Sequence, residues 1–190
     1  DIRKDTIYCD SKDSIKRKSA RSLLDLIFNY LVRWFAPSLS FTTEEAWRSI
    51  GNTSSIHLED FISTKDFYSN HNLKEKWEIL KQIRRVVTGA LEKKRTDKVI
   101  GSSLEAHVDI YLDKDLLHKF KDINFEELMI TSSVSLKEIN KNLNGFRLED
   151  VKNVEVVVLK VDGKKCQRCW KYSKDLINDE ICNRCNNAIS

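Results

Sequence analysis

Cys166-Gln-Arg-Cys169, twelve residues, then Cys182-Asn-Arg-Cys185: two pairs of thiols stand a loop's length apart near the end of the chain. The two residues inside each pair let a tight turn aim both sulfurs at one point, which is half of a tetrahedral site. Two halves make a closed four-cysteine site, and one Zn2+ per chain is the expected ion. Four protein ligands leave no position for water or substrate, so the ion is read as structural. Its binding free energy then becomes folding free energy for a segment with almost no core of its own. Two disulfides would need an oxidising compartment, and no secretory signal opens the chain. A redox dithiol would be a single CxxC beside a βαβ unit. The twelve-residue spacing is shorter than the roughly 15–20 of common four-cysteine ribbons, which leaves the loop geometry open.

Around that segment the composition is that of a folded, helix-rich protein. Of 190 residues, 41% are hydrophobic, and one proline and five glycines argue against a loop-heavy β architecture. No apolar run reaches the length of a membrane span, so no membrane partner and a cytoplasmic location are expected. The chain opens on Asp1 and its only methionine is Met129, the expectation being a piece of a longer protein whose active site lies elsewhere. The net charge of +4 is unevenly placed. Residues 73–98 hold nine Lys and Arg against four Asp and Glu, and residues 160–190 hold seven against four. Such segregation suits a polyanionic partner.

From Ala20, apolar residues recur at helical steps through Leu23, Leu24, Ile27, Phe28, Leu31, Trp34 and Phe35. This predicts a helix over 14–36, buried along one side and ended by Pro37. Residues 1–12 read as an irregular lead-in, with Cys9 a free thiol without a partner. Thr42-Thr-Glu-Glu45 has the form of a capping box for a helix over 43–50 that Gly51 closes. Residues 52–72, with isolated Phe61, Phe67 and Tyr68, read as a loop. Leu73, Trp77, Leu80, Ile83, Val87, Ala90 and Leu91 mark a long helix over 73–95 with an outer basic face.

Beyond Asp97 the pattern changes to strands at 107–112, 129–136 and 154–161, a short helix at 115–121 and a further turn near Phe125. Asp162-Gly163 turns the chain into the cysteine segment. His57, His71, His107 and His118 show no second ligand or nucleophile at a telling spacing and read as surface or loosely packed histidines. The fold class is mainly α with a small α+β unit and a terminal four-cysteine knuckle.

Six phrases occur in order: Asp1-Ile-Arg-Lys-Asp5, Val32-Arg-Trp-Phe-Ala-Pro37, Phe41-Thr-Thr-Glu-Glu-Ala-Trp47, Ser55-Ile-His-Leu58, Gly101-Ser-Ser-Leu-Glu-Ala106 and Lys165-Cys-Gln-Arg-Cys-Trp170. Together, over nearly the whole chain, they closely resemble the carboxyl-terminal third of bacterial-type isoleucyl-tRNA synthetases. The early phrases are shared by related class I synthetases such as the valyl enzymes, whereas the four-thiol knuckle discriminates. The resemblance implies a truncated helical anticodon-binding domain over 1–95, a small α+β junction domain over 96–162 and a zinc-binding module over 163–190. It also implies a monomer that meets the anticodon stem-loop of isoleucine tRNA. The HIGH and KMSKS signatures of the nucleotide-binding active site are absent from this sequence, so ATP would be used only by a catalytic domain outside it, and no catalytic residue is expected here.

Unpaired anticodon bases offer faces for stacking, and Lys and Arg neutralise the flanking phosphates. The candidate RNA contacts are Lys164, Lys165, Arg168, Trp170, Lys171 and Arg184 around the thiols, ahead of Arg33, Arg84 and Arg85 on the helices. Trp170 could equally be the plug that covers the metal. Two other readings compete. Formamidopyrimidine-DNA glycosylases carry a similar terminal finger, but they begin with a catalytic proline and the only proline here is Pro37; DNA is therefore not an expected partner. A non-catalytic zinc-stabilised interaction module is the third.

Overall fold

The computed structural model describes residues 1–63, 69–139 and 144–189. Phe67 and Tyr68 lie outside the described residues. The chain separates into two compact units, one of residues 12–70 and one of residues 1–11 with 71–190. The packing thus groups residues differently from the three-part division by sequence.

The lead-in expected to be irregular contains a helix, α1 (Lys4–Cys9). Nothing periodic announces it, because its anchors are remote. Thr6, 1% exposed, donates its hydroxyl to Glu127 Oε1 at 2.8 Å, and Arg3 reaches the same oxygen at 2.8 Å.

In the smaller unit, α2 (Ile15–Phe35) runs as its periodicity predicts, with the Ser14 hydroxyl accepting from the Arg17 amide. Its apolar stripe is not buried as expected. Ala20 and Val32 are, but Leu23, Leu24, Ile27, Leu31, Trp34 and Phe35 are all more than 40% exposed. Among the described residues of the unit, the cover comes from α3 (Ser40–Ser49) and a 3-10 turn at Ile56–Leu58. These close only over Val32, Ala36, Trp47 and Ile56.

Helix α3 starts a turn earlier than the capping-box pattern suggested, and its N-cap is Leu39, without a side-chain cap. The chain turns tightly after Phe35, whose carbonyl accepts from the Leu39 amide at 2.7 Å, and Thr43 then donates its hydroxyl to Leu39 O at 2.9 Å. Gly51 closes the helix at φ 94°, as expected. Glu44 rather than Glu45 is the working carboxylate. It accepts from Arg48 Nε at 2.6 Å, the Ile56 amide at 2.9 Å and the Ser55 hydroxyl at 2.9 Å.

The larger unit is built on α4 (His71–Thr96). Its Leu80, Ile83, Val86, Val87, Ala90 and Leu91 are buried, while the more N-terminal Leu73 and Trp77 stay exposed. The helix lies on a four-stranded sheet of β1 (Ala106–Leu112), β2 (Ser133–Glu138), β3 (Phe146–Leu148) and β4 (Val151–Lys160), in the order β2-β1-β4-β3. At Gly89 an added Cβ would stand 2.8 Å from the Phe146 ring, so the missing side chain is what lets α4 sit down on β3.

β1 pairs parallel with β2 and antiparallel with β4. The parallel step is bridged by α5 (Lys114–Phe120) and α6 (Phe125–Met129), capped by Asp113 and Asn124. Ala106, Val108, Ile110 and Leu112 all lie at 0% exposure between the layers. The strand expected from residue 129 begins only at Ser133, because Ile130 takes a left-handed conformation (φ 58°) that stops α6 after Met129.

His107, expected to be a surface or loosely packed histidine, is half-buried and hydrogen-bonded. Its ring meets the Ser133 hydroxyl at 2.7 Å and Asp109 at 3.1 Å, and Lys137 pairs with Asp109 at 2.8 Å. These groups tie edge strand β2 to β1 across the parallel register. Among the described residues no helix is long and apolar enough to cross a membrane.

Ile110→Ala removes a fully buried side chain from the central strand and should cost about 2–5 kcal/mol, measured by urea unfolding. The Glu44 carboxyl is held down to about 2, from an ordinary 4.5, by Arg48 first and then by the Ile56 amide and the Ser55 hydroxyl. A depressed carboxylate stabilises the fold above its unfolded value, and that contribution is lost as pH falls from 4.5 towards 2. The stability gap between the parent and Glu44→Gln should therefore close over that window; a gap independent of pH would contradict the assignment.

Candidate metal centre

Asp162 and Gly163 deliver the chain to the thiols. Gly163 sits at φ 141°, and a Cβ there would lie 2.5 Å from the Ser173 carbonyl oxygen, so only glycine fits the turn. A short hairpin of β5 (Lys164–Lys165) and β6 (Tyr172–Ser173) carries Cys166 and Cys169 in its loop. A second hairpin, β7 (Leu176–Ile177) with β8 (Ile181–Cys182), brings in Cys182, and α7 (Asn183–Ile189) presents Cys185 from its first turn. The halves are laced by the backbone: Gln167 N donates to Glu180 O at 2.9 Å and Cys182 N points at Cys166 Sγ at 3.4 Å.

All four sulfurs lie within 4.8 Å of one another, Cys169 and Cys182 being 3.8 Å apart. None is in a disulfide. A tetrahedron of thiolates about 2.3 Å from a zinc ion has edges of about 3.8 Å, so the spacing fits a four-coordinate ion. Cys166 and Cys185 are fully buried and Cys169 nearly so.

Burial pushes the Cys169 and Cys185 thiols up, as expected for sulfurs that would otherwise become neighbouring buried anions. Cys166 feels the same burial, but backbone amides, among them those of Cys169, Cys182 and Arg168, bring it down to about 6. The charge of a divalent cation would reverse the cost of gathering such thiolates. The four cysteines picked out by spacing are thus brought together in a set that could hold a metal ion.

The residues expected around them divide by what they touch. Lys164 pairs with Asp179 at 2.5 Å, and Lys171 stands 4.0 Å from Glu126. Trp170 is held at φ 66° by the hydrogen bond its backbone N–H donates to Cys166 O, stays 59% exposed, and has the Lys165 ammonium 5.0 Å from its ring centroid. It therefore does not plug the thiol cluster. Arg168 donates to the carbonyls of Cys9 and Tyr8, and Arg184 grips Asp5 through both terminal nitrogens at 2.5 and 2.6 Å.

The remaining three candidates lie elsewhere. Arg84 donates to Leu128 O at 3.1 Å, and Arg85 pairs with Asp150. Arg33, in the smaller unit, stacks over Trp47 and pairs with Glu59 at 3.2 Å.

Three residues of α1 join this centre that no sequence signal marked: Asp5, Tyr8 and Cys9. Cys9 is not partnerless. It is 6% exposed, packs with Cys166, Cys169 and Cys185, and points its thiol at Arg168 O from 3.7 Å. Burial pushes that thiol up to about 11. Between α1, α6 and the first thiol loop runs a groove of about 710 Å³, lined by Tyr8, Leu104, Glu126, Ile130 and Trp170 among others.

Comparison with known proteins gives this arrangement of a helical pair, a sheet-backed helix and a terminal thiol knuckle a family. Residues 1–110 match the family described as the anticodon-binding domain of tRNA ligase, and the chain belongs to that family. Among curated proteins it is 45% identical over 178 residues to an isoleucine–tRNA ligase of Brucella abortus, which covers 93% of this chain. The isoleucine–tRNA ligases of Bradyrhizobium diazoefficiens and Agrobacterium fabrum are 44% and 42% identical, each over 94% of the chain. The chain spans only 18–19% of the length of these relatives.

Cys182→Ser should abolish metal binding and unfold residues 164–189 locally, leaving the β1 and β4 amide signals in place. Metal content by atomic emission, read beside an amide NMR spectrum, tests both halves of this expectation.

Proposed function

We propose that this chain is the tRNA-binding region of an isoleucine–tRNA ligase and that it engages the anticodon stem-loop of isoleucine tRNA. The observation that carries the reading is the match of residues 1–110 to the anticodon-binding family, in a chain whose similarity to isoleucine–tRNA ligases runs on through the thiol knuckle. The metal is proposed to be a structural Zn2+, held by Cys166, Cys169, Cys182 and Cys185. ATP-dependent joining of isoleucine to its tRNA is proposed for the whole protein, by the portion of the relatives this chain does not match. The three-part division into residues 1–95, 96–162 and 163–190 belongs to the same proposal, as does a cytoplasmic monomer.

Of the candidate RNA contacts, Trp170 and Lys165 are the best placed. An exposed indole on a backbone stiffened by the thiol loop offers a stacking surface, and the adjacent ammonium offers a phosphate contact. Lys164 and Lys171 flank the same loop. Arg33, Arg84 and Arg85 each already hold a protein partner. Arg168 and Arg184 sit at the centre of the knuckle with their guanidinium groups turned to α1.

Gel retardation of purified isoleucine tRNA by the 190-residue chain tests the proposal, with a second tRNA and an oxidised-base DNA duplex as comparisons. Trp170→Ala should weaken binding by about 1–3 kcal/mol, the usual worth of one stacked base. Lys165→Ala should lower the slope of affinity against salt by about one charge. Equal affinity for all three nucleic acids, or none for any, would overturn the reading.

A further inference from the structure

The two CxxC loops hold one arginine each, and both turn the same way. Arg168, between Cys166 and Cys169, donates to the carbonyls of Tyr8 and Cys9, the last residues of α1. Arg184, between Cys182 and Cys185, makes a two-pronged ion pair with Asp5 and a longer contact to Asp10 at 3.5 Å. One guanidinium meets the exposed carbonyl end of the helix, where positive charge is favoured. The other holds its side and its exit. The thiol of Cys9 completes the ring by pointing back at the Arg168 carbonyl.

We propose that Arg168 and Arg184 are the two jaws of a metal-set clasp: the ion held by the four thiols orients both arginines, and they in turn hold the C-terminal half of α1. The inference rests on the metal reading of the thiols and goes beyond it. A six-residue helix is far below the roughly 12–15 residues at which isolated helices become even marginally stable in water, so α1 persists through its anchors. Its N-terminal half has one that no metal governs, Glu127 of α6, which accepts from Arg3 and Thr6. Its C-terminal half depends on two side chains whose backbones lie inside the metal loops. Without the ion, four sulfurs gathered within 4.8 Å of one another have no common centre to converge on, and the loops that aim the arginines relax. The ion thereby reaches, through protein groups alone, residues more than 150 positions upstream in the sequence.

The test is amide hydrogen exchange on the 190-residue chain, read at Tyr8, Cys9 and Asp10, with zinc counted per chain in every sample. Metal-loaded parent protein should protect these amides. Chelation should speed their exchange by roughly tenfold or more while β1 and β4 stay protected, and added zinc should restore it. Arg184→Gln and Arg168→Gln should each speed exchange at the same three amides while still holding one zinc, with Arg184→Lys recovering part of the protection. Unchanged protection in zinc-loaded Arg184→Gln and Arg168→Gln would overturn the clasp. So would loss of protection throughout β1 and β4 on chelation, since the ion would then hold the whole unit rather than one helix. A chain that never retains zinc would instead refute the metal reading.

Discussion

Four sulfurs lying within 4.8 Å of one another are the constraint on which the terminal segment, residues 163–189, rests. Neither hairpin there exceeds two residues per strand, and α7 has seven residues, so the segment has almost nothing else to fold around. The apolar neighbours of the thiols amount to little more than Leu176 and Ile181. Burying several thiols side by side without a cation disfavours their ionised forms, and with a cation that penalty becomes an attraction. The geometry of Gly163, of the left-handed Trp170 and of the Gln167–Glu180 link serves that convergence.

The basic charge of the chain is spent differently from what its clustering implies. Arg33 lies on an indole, Arg84 on a carbonyl, Arg85 and Lys164 on carboxylates, and the two knuckle arginines on α1. Counting positive residues therefore overstates what a polyanion would meet at the knuckle. What stays open there is the Trp170 ring with Lys165 beside it, a small surface whose position is set by the same turn that positions two thiols.

What the sequence made legible followed from how locally each feature is determined. The thiol set was readable because CxxC spacing encodes geometry within four residues, and α2 and α4 because an apolar period survives over many turns. The six residues of α1 were not readable, since the groups that stabilise them, Glu127, Arg168 and Arg184, lie far along the chain. The same distance hid the role of Cys9. The Thr42–Glu45 pattern misled by one turn, because the tight turn after Phe35 starts α3 early and the neighbouring Glu44 is drawn to the Ser55–Ile56 turn. For α2 the period gave the helix and its apolar side. It could not say that most of that side would stay uncovered within its own unit.

The strand order β2-β1-β4-β3 carries a consequence in time. The two knuckle hairpins join neighbours in sequence and can close quickly around an ion. The central strand must wait for partners roughly 26 and 50 residues downstream, and separations of that size slow a chain's search for its native pairings. Helix α1 must wait longest, because every group that receives it belongs to elements that come later. The expected order of assembly therefore runs backwards along the polypeptide, with its earliest residues the last to dock.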